Sequence, residues 1–333
     1  MHSKDIKQLL RLQDEPCISV SDVEVHDILI ANSAEFMDEL KQSYIDWGDG
    51  EKWVYVPKKK IIYTPNIKGD FRVMPCITDF NGGIKAVKVI GTNEENRTIK
   101  DKISVGKMLL IDWYDNYVYA TIDACILSSF RTAAISLLAY SLIYKKNNSV
   151  GLLGLGRIGF YTAIILHRWL GVTHVNCYDP NSAICEKFEK LISFYAPDMS
   201  INLLDSEDTI SQSSSLFLAT DSETSILNSN NSSHLEFVSS VGADANNLSE
   251  LDESLVDKFD IITDSIQSML LGDMKIWKEK ELLSEENVTE LKDIMNSKIS
   301  IEKNTLFIST GIAVQDALIG RFIVNKLSKT FIS

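Results

Sequence analysis

Short apolar runs punctuated by Gly, Pro and Asn fill the first 145 residues, and a different rhythm follows them. An acidic, helix-leaning stretch comes first. Strand-like runs then cover 53–57, 60–64, 83–90, 107–112 and 117–122, separated by Thr64-Pro65-Asn66, Asn81-Gly82-Gly83 and Asp115-Asn116. Runs this short, with turn residues between them, predict a mostly antiparallel sheet. Residues 129–144 carry apolar side chains on more than one face, the pattern of a buried helix.

After Lys145-Lys146-Asn147-Asn148 the pattern becomes strand–helix alternation. Strand candidates at 149–153, 174–178, 215–220, 236–241, 259–263 and 305–309 alternate with helical segments such as 159–170 and 183–194. Apolar strands spaced by helices predict a parallel sheet covered on both faces. The Ser/Asn-rich runs 211–215 and 228–233 read as surface loops. Residues 311–327 are helix-like and are expected to return to the N-terminal part. The fold class expected is therefore α/β: a Rossmann-like doubly wound sheet over 129–311, and a mostly antiparallel α+β domain built from 1–128 and 312–333.

Composition narrows the function. At roughly 150 residues per domain the 333-residue chain allows two, or one large domain with an inserted module. A net charge of −13 makes it a poor partner for a phosphate backbone or an anionic membrane, so neither nucleic acid nor membrane is expected. Five scattered cysteines without a Cys-x-x-Cys, and five histidines without metal-ligand spacing, argue against a disulfide scaffold and a metal site. The N-terminal MHSKDIKQLLRLQDEP is charged throughout, and the apolar stretch 132–144 is shorter than the ~18–20 residues of a membrane span. A cytoplasmic protein is expected.

Gly154-Leu155-Gly156-Arg157-Ile158-Gly159 is the sharpest local signal. With 16 glycines, about 0.04 matches to this pattern would arise by chance, and this one follows an apolar strand and opens a helix. Gly154 permits the tight turn, Gly156 lets a pyrophosphate reach the backbone, and Gly159 allows close helix–sheet packing. The helix start offers unpaired N–H groups to an anion. Asp179 ends the next strand, where an acid accepts hydrogen bonds from ribose hydroxyls and repels a 2′-phosphate. Pro180-Asn181-Ser182 carries no Arg, so NAD is expected over NADP.

Ligands of a doubly wound sheet lie outside the carboxyl ends of its strands. Thr220, Asp244, Asp264 and Ser309-Thr310 stand at those ends, although each alone is more readily a turn or cap residue and periodicity does not choose among the four. In the first half, Lys85 and Lys88 interrupt an apolar strand. Alternation puts Lys85 with Val87 and Val89, and Lys88 with Ile84, Ala86 and Ile90. One of the two is expected to face something negative, and periodicity does not choose. Arg131 heads the buried helix, placed either for a structural ion pair or for a bidentate carboxylate clamp.

These residues also carry a resemblance. Gly69-Asp70-Phe71-Arg72-Val73-Met74-Pro75, then Gly83-Ile84-Lys85-Ala86-Val87-Lys88-Val89 through Asn93, and Ser129-Phe130-Arg131-Thr132-Ala133-Ala134 are similar to the ornithine cyclodeaminase/mu-crystallin family. So are the glycine loop, Val241-Gly242-Ala243-Asp244, Glu250-Leu251-Asp252 and 307–316, in the family's order over roughly 55–325. The resemblance implies that Lys85 and Arg131 hold a substrate α-carboxylate. Lys60 is the nearest match to a further basic ligand, with Lys58 or Lys59 as alternatives, and Met74 joins the substrate-binding set. It implies that Asp244 is the acid/base at the substrate nitrogen, with Lys85 as a second catalytic group. Thr132, Thr220 and Gly311 would join Gly154, Gly156, Arg157, Ile158, Gly159 and Asp179 around NAD(H), and the antiparallel domain would mediate a homodimer.

Departures from the family pattern shift the expected chemistry. Asn246-Asn247-Leu248 stand where the family has Pro-Gly-Lys, Glu290-Leu291-Lys292-Asp293 replaces a Glu-Leu-Gly stretch, and a Lys near residue 60 stands where ornithine cyclodeaminases have Arg. The expected function is therefore NAD(H)-dependent oxidoreduction at the Cα–N bond of an amino or imino acid, as a dehydrogenase or an imine reductase. The alternatives are a cyclodeaminase-type ammonia-lyase using NAD catalytically, and a non-catalytic crystallin-like binding protein. Lys85, Arg131 and Asp244 together argue against the last, since pure binding needs no acid/base.

Overall fold

The computed structural model describes residues 9–10, 14–63, 65, 69–92, 102, 104–145, 148–245, 247–296 and 304–330; Thr64, Asn66, Asn93, Lys146, Asn147 and Asn246, named above, lie outside them. The chain opens with β1 (Ile18–Val20), α1 (Asp22–Ala31), α2 (Ser33–Asp49), β2 (Val54–Tyr55), β3 (Lys60–Tyr63), β4 (Asp70–Thr78), β5 (Ile84–Thr92), β6 (Ser104–Ile111), β7 (Val118–Asp123) and α3 (Ala124–Tyr140). The seven strands form one sheet in the order β1-β7-β6-β5-β4-β2, with β3 also on β4. Every pairing is antiparallel except β1 with β7.

Strand β4 was not legible as a strand because Pro75 sits at its centre. The structure shows why the proline is tolerated. β3 pairs with Asp70, Phe71, Arg72 and Val73, and β2 pairs with Ile77 and Thr78, so Pro75 falls in the gap between them. Its missing N–H removes no ladder bond on that side.

A second sheet follows: β8 (Val150–Leu153), α4 (Arg157–Leu170), β9 (His174–Tyr178), α5 (Ser182–Tyr195), β10 (Ser200–Leu203), α6 (Ser206–Ser211), β11 (Ser215–Leu218), β12 (Phe237–Ser240), β13 (Phe259–Thr263), α7 (Gly272–Glu279), β14 (Val288–Glu290), α8 (Leu291–Met295), β15 (Asn304–Ile308) and α9 (Ala313–Thr330). Its eight strands are parallel in the order β10-β9-β8-β11-β12-β15-β13-β14. The central strands β8, β11 and β12 are buried along their whole length, as strands covered on both faces must be. The chain reverses direction across the sheet between β8 and β11, so a crevice opens there at the strands' carboxyl ends.

The two sheets are tied by helices. α3 packs against both α1 and α4, and one continuous helix thus spans the expected domain boundary at 128/129. α9 leaves the second sheet and lies across β4, β5 and β6, burying Val314, Ala317, Leu318 and Ile319. At α1, both ring nitrogens of His26 meet phenols of the second sheet's helices, Tyr161 at 2.7 Å and Tyr195 at 2.8 Å.

Candidate active site

Gly154 has φ +93°, a conformation that favours glycine, and a Cβ there would lie 2.4 Å from the Ala219 carbonyl oxygen. Gly159 is as constrained, because its Cβ would fall 2.2 Å from the Gly154 oxygen. Gly156 is different: nothing lies within 4 Å of where its Cβ would be. No packing demand accounts for a glycine there. The space beside the backbone, next to a helix α4 whose N-terminus has no side-chain cap, fits a pyrophosphate. Arg157 and Ile158 form the first turn of that helix. Asp179 follows β9 and accepts hydrogen bonds from the Leu155 N–H (3.0 Å) and the Asn181 N–H (3.0 Å), which anchors it against the glycine loop.

Further along the same edge, a buried carboxylate organises the loops after β11 and β12. Glu250 Oε1 accepts from the Thr220 N–H (2.7 Å) and hydroxyl (2.8 Å), and Oε2 from the Ser240 hydroxyl (2.6 Å) and the Gly242 N–H (3.0 Å). Asp273 in turn accepts from the Ser249 hydroxyl and from the N–H groups of Glu250 and Leu251. Burial pushes both carboxyls above their ordinary values, against the pull of these donors. Thr220 is thus held by Glu250, and the Thr132 hydroxyl donates within its helix to Ser128.

Opposite this edge lies a dense set of charges. Arg72 on β4 turns its Nε and Nη2 to Asp70, with contacts of 3.0–3.2 Å, and its Nη1 to Asp244 Oδ2 at 2.7 Å. Burial alone would raise the Asp244 carboxyl. The Arg72 guanidinium, with Lys59 and Arg131 beyond it, holds the group below the usual range. Lys59 Nζ donates to the Thr310 carbonyl (2.8 Å) and hydroxyl (3.0 Å), and burial brings its pKa down to about 8. Lys88 is 1% exposed; its Nζ pairs with Asp316 at 2.8 Å, and burial lowers it to about 8 against that pull. Arg131 donates to Gln315 (3.2 Å) and lies 3.5 Å from Asp316. Gly311, at φ +78°, lets this guanidinium close in, since a Cβ there would sit 2.2 Å from Nη1. Asp264 is buried beneath, accepting from Ser268, Ser309 and Gln315.

The expected site residues are distributed unevenly. Arg131, Asp244, Thr220 and Gly311 lie at this cluster or on its rim. Lys85 does not. It pairs in register with Ile77 and Ile111 on the outer face of the sheet, where Nζ donates to the Trp113 carbonyl (2.6 Å) and Asn116 (2.7 Å). The residue that enters the site is Lys88, which stands opposite Met74 in β4 and Met108 in β6. Lys60 is also displaced: it pairs with Val73, on the face away from Arg72, and it is Lys59 that reaches the site. Met74 is buried on the inner face, beside Lys88. Arg72, Asp70 and Asp316 went unassigned in the sequence reading, although all three fall within the matching stretches. Among the described residues, no group of His, Cys, Asp and Glu could hold a metal, and no helix is long and apolar enough to cross a membrane.

Known proteins share this architecture. The chain is 25% identical over 277 residues to alanine dehydrogenase from Archaeoglobus fulgidus, covering 80% of this chain and 84% of that one. It superposes on Thermococcus litoralis Δ1-pyrroline-2-carboxylate reductase, solved with NADH and L-proline, with a TM-score of 0.83 at 22% identity, over 94% of this chain and 98% of that one. The iminosuccinate reductase of Paracoccus denitrificans, solved with NAD+, gives a TM-score of 0.81 at 15% identity, over 96% and 98%. Residues 15–330 match the profile of the ornithine cyclodeaminase/mu-crystallin family. On that match, and with the fold and glycine loop described, this protein belongs to the ornithine cyclodeaminase/mu-crystallin family.

Proposed function

We propose that the protein is an NAD(H)-dependent oxidoreductase acting on the Cα–N bond of a small amino or imino acid. One observation carries the reading: Arg72, Lys59 and Arg131 converge around Asp244 on the rim that also bears the glycine loop, with Lys88 on Asp316 behind Arg131 and Lys59. Four cations in a partly buried cleft recognise a carboxylate. A carboxylate side chain held among them, with 41% of its surface accessible, is placed to exchange a proton with a substrate nitrogen. NAD(H), when bound, supplies the hydride acceptor or donor.

The residues divide the work as follows. Gly154, Gly156 and the first turn of α4 receive the pyrophosphate, and Asp179 receives the ribose hydroxyls and disfavours a 2′-phosphate. Arg72 and Arg131, with Lys59, hold the α-carboxylate and so orient Cα. Asp316 keeps Lys88 charged at the floor of the site. Asp244 takes up or releases the proton at nitrogen. The likeness in sequence to alanine dehydrogenase, over most of both chains, supports this class over the cyclising one.

A homodimer fits the same reading. The outer face of the first sheet carries Tyr55, Phe71, Val73, Val87 and Val89 in one register, and α9 covers only the inner face. An archaeal alanine dehydrogenase of this fold, with a TM-score of 0.81, is a dimer with bound NAD. The deciding experiment is a panel of amino acids with NAD, and of 2-oxo acids plus amines with NADH, followed by absorbance at 340 nm and by free ammonia in the same wells. A sustained change at 340 nm is expected. Ammonia released from a diamino acid with a flat 340 nm trace would replace the proposal with a cyclodeaminase.

A further inference from the structure

Arg72 has five N–H donors, and Asp70 and Asp244 together engage its Nε, Nη1 and Nη2. Asp70 takes Nε and Nη2 and, with both side chains about 10% exposed, prevents the guanidinium from swinging away. Asp244 takes Nη1. A substrate carboxylate that binds Arg72 in the fork geometry engages Nη1 and Nη2 together, and so brings its negative charge against Asp244 on the shared Nη1.

We propose that in the free protein Asp244 stands in for the substrate carboxylate on Arg72, so that only a carboxylate-bearing substrate releases the acid/base for chemistry. The inference rests on the proposed reading of this site. It makes the Arg72–Asp244 pair a determinant of specificity: an imine of the same size without a carboxylate brings no negative charge against Asp244, and leaves it paired. Two consequences follow. Asp244 opposes carboxylate binding, so removing its charge tightens such binding while turnover is lost. Release from Arg72 also raises the Asp244 carboxyl, since Arg72 dominates the forces holding it ionised; the other charges facing it are Lys59 ahead of β3 and Arg131 on α3, with Asp70 on the far side of Arg72. Carboxylate binding then draws in a proton from solution.

The test is calorimetric titration of oxamate, a planar carboxylate–amide mimic of a 2-imino acid, into wild type, Asp244→Asn and Asp244→Ala. Each is titrated with and without saturating NADH, in two buffers of different ionisation enthalpy. At least tenfold tighter oxamate binding is expected in both variants, together with a buffer-dependent proton uptake that is larger in wild type than in either variant, where only Lys59 and Lys88 gain protons. Oxamate binding no tighter in the variants than in wild type would overturn the proposal, as would a proton uptake no larger in wild type than in the variants. NADH binding, read by nicotinamide fluorescence, shows that the variants are folded. It also separates the two readings, because wild type that fails to bind NADH sinks the oxidoreductase assignment while the cofactor-free titration still reads the gate.

Discussion

Glu250 offers the sharpest link between a buried group and the cofactor edge. Its carboxylate accepts four hydrogen bonds within 2.6–3.0 Å and is 0% exposed, so no water can substitute for it. Two donors, the Thr220 and Gly242 N–H groups, belong to the backbone and cannot turn elsewhere. The Thr220 and Ser240 hydroxyls can rotate. Leaving a buried N–H unpaired costs about 1–3 kcal/mol, and Glu250→Ala strands two of them, so a loss of roughly 3–5 kcal/mol is expected once the cavity is included. Glu250→Gln keeps one oxygen and turns an NH2 toward one N–H, for about 1–3 kcal/mol. The moved segments carry Thr220 and lead into Asp244, so NAD affinity should fall as well. Urea midpoints with and without NAD, and a direct NAD titration, read both effects. The sign with pH is also fixed. A carboxyl raised by burial holds its proton more tightly folded than unfolded, so its contribution to stability declines as pH rises from its ordinary value through the raised one. That decline should be missing from Glu250→Gln. Unchanged midpoints and unchanged NAD affinity in Glu250→Gln would refute the role assigned to this carboxylate.

Lys59 and Lys88 both titrate at about 8, so the KM for a carboxylate substrate should climb above that pH as their charges are lost, and a flat KM to pH 10 would contradict their role. Stability should move the other way, rising from pH 8 toward 10.5, because the unfolded chain binds the extra protons there. Gly156→Ala should fold like wild type, since its Cβ meets nothing within 4 Å, yet bind NAD at least tenfold more weakly; Gly159→Ala, whose Cβ would crowd the Gly154 oxygen, should lose stability in the same denaturation assay. Lys85→Ala should leave kcat/KM within about twofold, as expected for a surface change. Lys88→Met should abolish turnover and, by leaving the buried Asp316 with only its 3.5 Å contact to Arg131, cost about 3 kcal/mol of stability.

Much of this protein could be read directly from its residues. The parallel strands β8, β9, β11, β12, β13 and β15 are apolar runs bounded by turn residues, and the glycine loop has a spacing that only one local geometry satisfies. Asp179, Arg131 and Asp244 follow from that frame and from the family pattern. The short strands β10 and β14 carry too few apolar residues to stand out, and β4 was hidden by Pro75, whose tolerance depends on where two other strands stop. Such information is not local.

The same limit explains the misplaced lysines. Both faces of β5 are apolar: Ile84, Ala86 and Ile90 meet α9, while Val87 and Val89 line the outer face proposed for a second copy. Alternation therefore separated Lys85 from Lys88 without saying which side was inside, and only the packing of α9 decides for Lys88. Lys59 was chosen over Lys60 by the register of β3 on β4, a shift of one residue that reverses every side chain. Arg72 acquired its place from Asp70 two residues away and Asp244 in the other sheet. The sequence by itself determined most of the elements, because period and turn chemistry are written locally. The tertiary structure alone decided which charges meet, because burial and ion pairing depend on groups that share space and not sequence.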